Sequence, residues 1–143
     1  MQQVRDTKTV ITQWPEAPAQ WPENLRWEFF QRAGIGQVGS KLVSESNRVR
    51  VWHIGLKPGE RLAFHTHVLD YFWTAVTAGS ARSHYGDGRV AETVYAPGDT
   101  QHHRYGPGEF MIHDLENTGQ TELVFTTVEF LDSPNAPLPA SGM

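Results

Sequence analysis

The feature that most constrains this chain is its punctuation. From Arg48 to Leu131, short runs rich in β-branched and aromatic residues alternate with glycine and proline turn signals. No stretch there holds a capped helical period, so the pattern is one of strands. Arg48–Ile54 alternates in strand fashion, Lys57-Pro58-Gly59-Glu60 turns, and Phe64–Val76 supplies the next extended material. Ser80–Tyr85 and Arg89–Tyr95 flank Gly86-Asp87-Gly88 and read as a hairpin. Thr100–Tyr105 and Glu109–Leu115 flank Gly106-Pro107-Gly108 and read as a second hairpin, and Leu123–Leu131 is the last strand. Many short strands at such spacing predict an all-β antiparallel sandwich or barrel.

Residues 1–45 differ in character. Trp14-Pro15 and Trp21-Pro22 restrict the chain to extended conformations, so the sequence predicts an N-terminal arm with a short strand or turn, packed on its own barrel or on a partner subunit. Residues 46–132 are expected to hold these strands as one sandwich or barrel. Residues 133–143, with Pro134, Pro137 and Pro139, are expected to be an extended, partly mobile tail. At 143 residues the chain suits a single core.

Charge and composition exclude several function classes. A net charge of −4 gives no basic footprint for nucleic acid and no polybasic attraction to a membrane. With no cysteine, thiolate metal sites and cysteine nucleophiles are ruled out. Met1–Thr12 lacks the apolar core of a secretion signal, and no apolar run is long enough for a bilayer. The expectation is a soluble, cytoplasmic protein.

Chemistry enters with Ala63-Phe64-His65-Thr66-His67-Val68. Side chains two apart on a strand share a face, so His65 and His67 point the same way. If that face lines the barrel interior, the neutral imidazoles converge as ligands for a divalent transition metal. His102 and His103 are neighbours on a strand and point to opposite faces, so at most one faces a pocket. A three-residue turn at 106–108 sets Gln101 opposite His113 and puts His103 inside, while a two-residue turn sets His102 opposite His113. The register is open at this level. His53 and His84 take ordinary strand positions.

The spacing around these residues resembles that of the small single-domain cupins of the RmlC-like superfamily. Gly59, five residues, His65-Thr66-His67 and the closing Gly79 resemble the first cupin motif, while Pro97-Gly98-Asp99 and His113 to Asn117 resemble the second. The resemblance spans roughly residues 48–131 and implies a double-stranded β-helix, or jelly-roll barrel. It also implies a metal site made of His65, His67 and His113. Where the family places a glutamate ligand this chain has Tyr71, or Phe72 if counted back from Gly79. Asp70 has the wrong strand parity and Tyr71 the right one, which is similar to the cupin subset with Asp-Tyr after His-x-His. From Gly98 to His113 the chain is also longer than the family's minimal spacing.

What the resemblance implies for function is a mononuclear metal centre, with iron favoured over zinc, manganese or nickel. Tyr71 is the candidate catalytic residue, a phenol donor or proton carrier, and one of His102 and His103 lines the pocket. The leading expectation is dioxygenase-like, oxidoreductase chemistry on a small organic acid or metabolite. The alternative is a non-catalytic binding or sensing cupin with a structural metal. A metal-independent sugar-nucleotide isomerase would need a His–Asp/Glu acid–base pair, which nothing in the sequence singles out. Cupins of this size commonly pair through sheet contacts, so a homodimer is expected.

Overall fold

A computed structural model describes residues 7–140. One helix, α1 (Glu23–Arg32), precedes nine strands: β1 (Lys41–Glu45), β2 (Val49–Leu56), β3 (Arg61–His67), β4 (Tyr71–Ala75), β5 (Gly79–His84), β6 (Val90–Tyr95), β7 (Thr100–His103), β8 (Met111–Asn117) and β9 (Leu123–Phe130). They form a five-stranded sheet in the order β1-β2-β9-β4-β7 and a four-stranded sheet in the order β3-β8-β5-β6. Every strand pair is antiparallel.

The inner faces of the sheets meet over Ile54, Leu56, Leu62, Ala75, Leu115, Leu123 and Phe125, all buried. A second apolar cluster lies elsewhere. Trp21, Phe29, Phe64 and Ile112 pack between α1 and the outer face of the four-stranded sheet, with Trp14 and Phe110 beside them. That sheet is therefore covered on both faces, which explains why β3 and β8 are buried more continuously than a half-exposed strand.

Turn chemistry places the strands before and after the site. Pro58-Gly59 and Pro97-Gly98 each occupy the centre of a tight turn, closed by Glu60 N–H to Lys57 O (2.9 Å) and Asp99 N–H to Ala96 O (3.0 Å). Both glycines have positive φ, 85° and 92°, the conformation that the third residue of a type II turn requires.

Three sequence expectations are corrected. The arm is not simply extended: Glu23–Arg32 is helical, starting directly after Pro22, with an acidic residue in its first turn and Arg32 in its last. Pro22 restricts Trp21 but leaves a helix free to begin behind it, and burial of Phe29 against Phe64 and Trp21 supplies the tertiary support. Trp14 and Trp21 pack on the chain itself, whereas Trp27 and Phe30 are exposed.

The second correction concerns Gly106-Pro107-Gly108, which does not close a hairpin. β7 pairs with β4 in one sheet, while β8 lies between β3 and β5 in the other. The turn crosses between sheets, so His113 faces neither Gln101 nor His102.

Third, the tail is anchored over residues 133–140; residues 141–143 lie outside the described residues. Asn135 is fully buried, and its amide donates to Val68 O (3.0 Å) and Gly106 O (3.1 Å) while its side-chain oxygen accepts from Gly108 N–H (2.8 Å). Thr9 pairs with Asn135 through a parallel bridge, and Pro139 O accepts the Gly36 N–H (2.7 Å).

Asn135→Ala should strand these backbone groups in the interior. Because a buried unpaired polar group costs about 1–3 kcal/mol, the variant should be less stable by about 3 kcal/mol in urea unfolding. A value within about 0.5 kcal/mol of the parent would mean that the crossing turn does not depend on this side chain.

Candidate metal centre

The site is built by the pairing of β3 with β8, in which His65 stands directly opposite His113 and His67 opposite Met111. Leu62 stands opposite Leu115, so three residues of β3 span what two span on β8 between these pairs. The extra residue is a β-bulge at Ala63-Phe64, and it reverses the facing of the strand. Leu62 and His65 both point inward, although an uninterrupted strand would send them to opposite faces. Phe64 is sent outward into the α1 cluster.

The donor nitrogens of His65, His67 and His113 all lie within 4.8 Å of one another. His67 Nε2 and His113 Nε2 are 3.3 Å apart. Two imidazole nitrogens bound to one ion at about 2.1 Å would stand roughly 3.0–3.4 Å apart, so this spacing fits a shared cation. The nearest backbone partner is that of His65, whose Nδ1 lies 2.8 Å from the bulged Ala63 carbonyl. Donation through Nδ1–H leaves the Nε2 lone pair for the ion. The buried Nδ1 atoms of His67 and His113 have no hydrogen-bond partner.

Electrostatics favour the neutral ligand form. Burial pushes His65 down to about 4. Burial first, and then the neighbouring imidazoles, hold His67 and His113 well below the ordinary histidine value. At neutral pH no proton competes for the three lone pairs. The donor set and its geometry thus fit one divalent metal ion.

The cavity beside these rings has about 50 Å³ open to the centre of a water molecule, room for a few waters. Its wall is largely apolar and aromatic, including Val38, Ile54, Trp73, Tyr95 and Phe125, with Ser83, Thr127 and Tyr71 as polar groups. No Asp, Glu, Lys or Arg lines it among the described residues.

Tyr71 is buried and stacks on His67 with ring centres 4.1 Å apart and planes 13° apart. His103, paired with Tyr71 across β4 and β7, stacks on the other face of the phenol at 4.7 Å and 7°. The three rings form a column. His102 is exposed on the opposite face of the sheet, beside Phe72. Of the two, His103 therefore lies on the site side, through its pairing with β4. Asp70 points away and accepts the Tyr105 N–H (2.9 Å). Burial above all, then Tyr105 and Tyr85, raises the Tyr71 hydroxyl well above the ordinary phenol value, so it stays protonated.

Several residues escaped the sequence reading. Ser83, Tyr95 and Thr127 line the cavity from strands whose inward parity was legible but whose registers were not. Glu129 stands opposite Tyr71 on β9, buried, and its Oε1 accepts the Trp52 Nε1–H (2.8 Å). Burial raises its carboxyl to about 7 despite that bond. A His–Asp pair also exists: His84 Nδ1 approaches Asp114 at 3.1 Å. It lies outside the barrel beneath the N-terminal segment, so it offers no acid–base pair to the cavity.

The titration pattern has a consequence for the metal-stripped protein. Each of these three histidines stays neutral when folded but binds a proton near pH 6.5 once unfolded, so its contribution is present above that value and lost as pH falls. Half-buried His103 acts in the same direction. Glu129 opposes them: raised when folded, it contributes below 4.5 and loses that contribution as pH rises toward 7. Between pH 5 and 6 the unfolding reaction should therefore take up about two protons net from these groups, and about three in Glu129→Gln. Urea unfolding across that interval checks both slopes, and a pH-independent stability would contradict the buried neutral imidazoles.

Comparison with known proteins adds to this geometry. No protein-family model matches the chain, and no curated protein sequence does. Solved structures do. A cupin domain from Bordetella pertussis Tohama I is 23% identical, over 67% of this chain and 94% of that one, with a TM-score of 0.55. A conserved protein with a double-stranded β-helix domain from Klebsiella pneumoniae is 25% identical, over 71% and 83%, with a TM-score of 0.53. An RmlC-like cupin family protein from Methanocaldococcus jannaschii is 17% identical, over 63% and 76%, with a TM-score of 0.51. The two sheets, their antiparallel order and these likenesses agree: the chain has the double-stranded β-helix fold of the small cupins.

Proposed function

We propose that this protein is a mononuclear metal-dependent cupin in which His65, His67 and His113 hold one divalent transition ion, iron favoured, for oxygenase-type chemistry on a small organic acid. The observation that carries the reading is the convergence of three neutral imidazoles, two of them buried and that of His113 half-buried, on one apolar cavity. The ion, when bound, supplies a Lewis acid, and as iron a redox centre, beside side chains that offer only hydrogen bonds and apolar contact to a ligand.

The chain's own residues define what such a centre accepts. Imidazoles are uncharged donors and no carboxylate accompanies them, so the ion's positive charge stays uncompensated by protein. No lysine or arginine lines the cavity to pair with a second anionic group. The fitting ligand is therefore compact, apolar over most of its surface and singly anionic. The aromatic and aliphatic wall keeps water scarce around it, which strengthens each polar contact. Tyr71, held protonated beside His67, offers a hydrogen bond to an oxygen of the ligand.

Metal analysis of protein purified without chelator, followed by oxygen uptake against a panel of small monoacids, tests the proposal. One ion per chain with substrate-dependent uptake supports it. A retained ion without uptake from any acid would turn the reading to a binding or sensing cupin.

Two sets of variants sharpen the test. His65→Ala, His67→Ala and His113→Ala should each lower metal affinity by about tenfold or more, because each removes one of the few protein donors, while exposed His102→Ala should leave metal content intact. Tyr71→Phe should retain metal and fold but weaken ligand binding or turnover about tenfold, the size of one lost hydrogen bond. If Tyr71→Phe changes neither, the phenol serves packing alone.

A further inference from the structure

The strand that carries His65 and His67 is an edge strand, and its bulge is held by the N-terminal segment. β3 pairs with β8 on one side and, among the described residues, with no strand on the other. The open edge is closed by backbone and side chains from residues 28–35. Thr66 N–H donates to Ile35 O (2.8 Å), and Thr66 Oγ1 accepts from Gly34 N–H (3.0 Å). At the bulge, Glu28 Oε2 accepts the Phe64 N–H (3.0 Å) and Arg32 Nε donates to the Phe64 carbonyl (3.0 Å). Both backbone polar groups of Phe64, the residue displaced by the bulge, are thus satisfied from α1.

The same carboxylate fastens a second connection. Glu28 forms a two-pronged pair with Arg61, both bonds 2.8 Å. Arg61 Nε in turn donates to Asp114 (2.8 Å), whose other oxygen accepts the His84 N–H (2.6 Å). Asp114 is fully buried and is the residue after His113. One chain of bonds therefore runs from α1 through β3 to β8 and β5, joining both histidine-bearing strands on the face opposite the cavity.

We infer that Glu28 and Arg32 of α1 are positioning residues for the metal centre, acting by holding the Ala63-Phe64 bulge that aims His65 at His67 and His113. The inference rests on the metal centre proposed above. The physical reason is parity. Without the extra residue, Leu62 facing inward forces His65 outward, and only a bulge whose displaced amide and carbonyl are bonded elsewhere keeps both inside. The helix is part of the site, although none of its residues faces the cavity.

The test uses the full chain, with cobalt(II) as the probe ion. Glu28→Ala should bind cobalt about 10–100-fold more weakly than the parent and show an altered visible spectrum, the range expected when a supporting group of a metal site is lost. Glu28→Gln, whose amide oxygen still accepts the Phe64 N–H, should keep affinity within about threefold of the parent, a difference below about 1 kcal/mol. Glu45→Ala, at an exposed ion pair with Arg50, should match the parent throughout. If Glu28→Ala fails to fold, Arg32→Met removes the bond to the Phe64 carbonyl while leaving the Glu28–Arg61 pair in place, and should show the same weakening.

Cobalt binding by Glu28→Ala with the parent's affinity and spectrum would overturn the inference, leaving α1 a stabilising element alone. A loss in Glu28→Gln as large as in Glu28→Ala would also overturn it, by assigning the effect to the charge on Arg61. Amide hydrogen exchange of the metal-free protein reads the clamp independently of any ion. Phe64 and Thr66 amides should exchange about tenfold faster in Glu28→Ala than in the parent. Unchanged exchange there contradicts the clamp. A parent that binds no cobalt while those amides do respond contradicts the metal reading and spares the clamp.

Discussion

The site depends on one irregular stretch of β-pairing, the place where β3 carries one residue more than β8 opposite it. A regular ladder between Leu62 and His67 would divide its side chains strictly by parity. The bulge lets Leu62 join the interior core, turns Phe64 to the outer cluster and still leaves His65 and His67 facing inward. The register brings His65 opposite His113, so three imidazoles meet from two strands without any loop contribution. Rigid strands hold such a constellation more accurately than loops would.

The centre's chemistry follows from what surrounds it as much as from its donors. Burial keeps the imidazoles neutral, and the absence of a lining carboxylate or cation leaves the charge balance to ion and ligand. Tyr71, standing where a carboxylate would be expected, changes the character of the position from a charged donor to a neutral phenol stacked between His67 and His103. Glu129 is buried nearby across the strand pair, and burial suppresses its charge at acidic pH. This scarcity of fixed charge is the ground for the compact, singly anionic ligand proposed above.

Much of this was legible in the sequence, for identifiable reasons. Turn residues such as Pro58-Gly59 and Pro97-Gly98 dictate local geometry directly, and the hairpin around Gly86-Asp87-Gly88 needs no distant partner, so β2, β5, β6 and β9 could be read locally. His65 and His67 share a face because two-residue periodicity is local as well. The partner of β8 is a different matter. A turn of Gly106-Pro107-Gly108 serves a hairpin or a crossing between sheets equally, and its partner Asn135, which bonds to the turn in its crossing form, lies far along the chain. The helix at Glu23–Arg32 was hidden because its exposed Trp27 and Phe30 blur the apolar stripe, and because only packing against Phe64 selects Phe29 as its buried residue. The bulge was invisible because an extra residue is defined only against the strand it pairs with.

The central claim is that one ion is held by the three imidazoles that this pairing assembles. Anomalous diffraction from crystals of the protein loaded with a single transition ion, recorded at that metal's absorption edge, tests it most directly. The account predicts one strong peak inside the barrel, about 2.1 Å from a nitrogen of each of His65, His67 and His113. A peak at surface carboxylates with the three rings unliganded would contradict it.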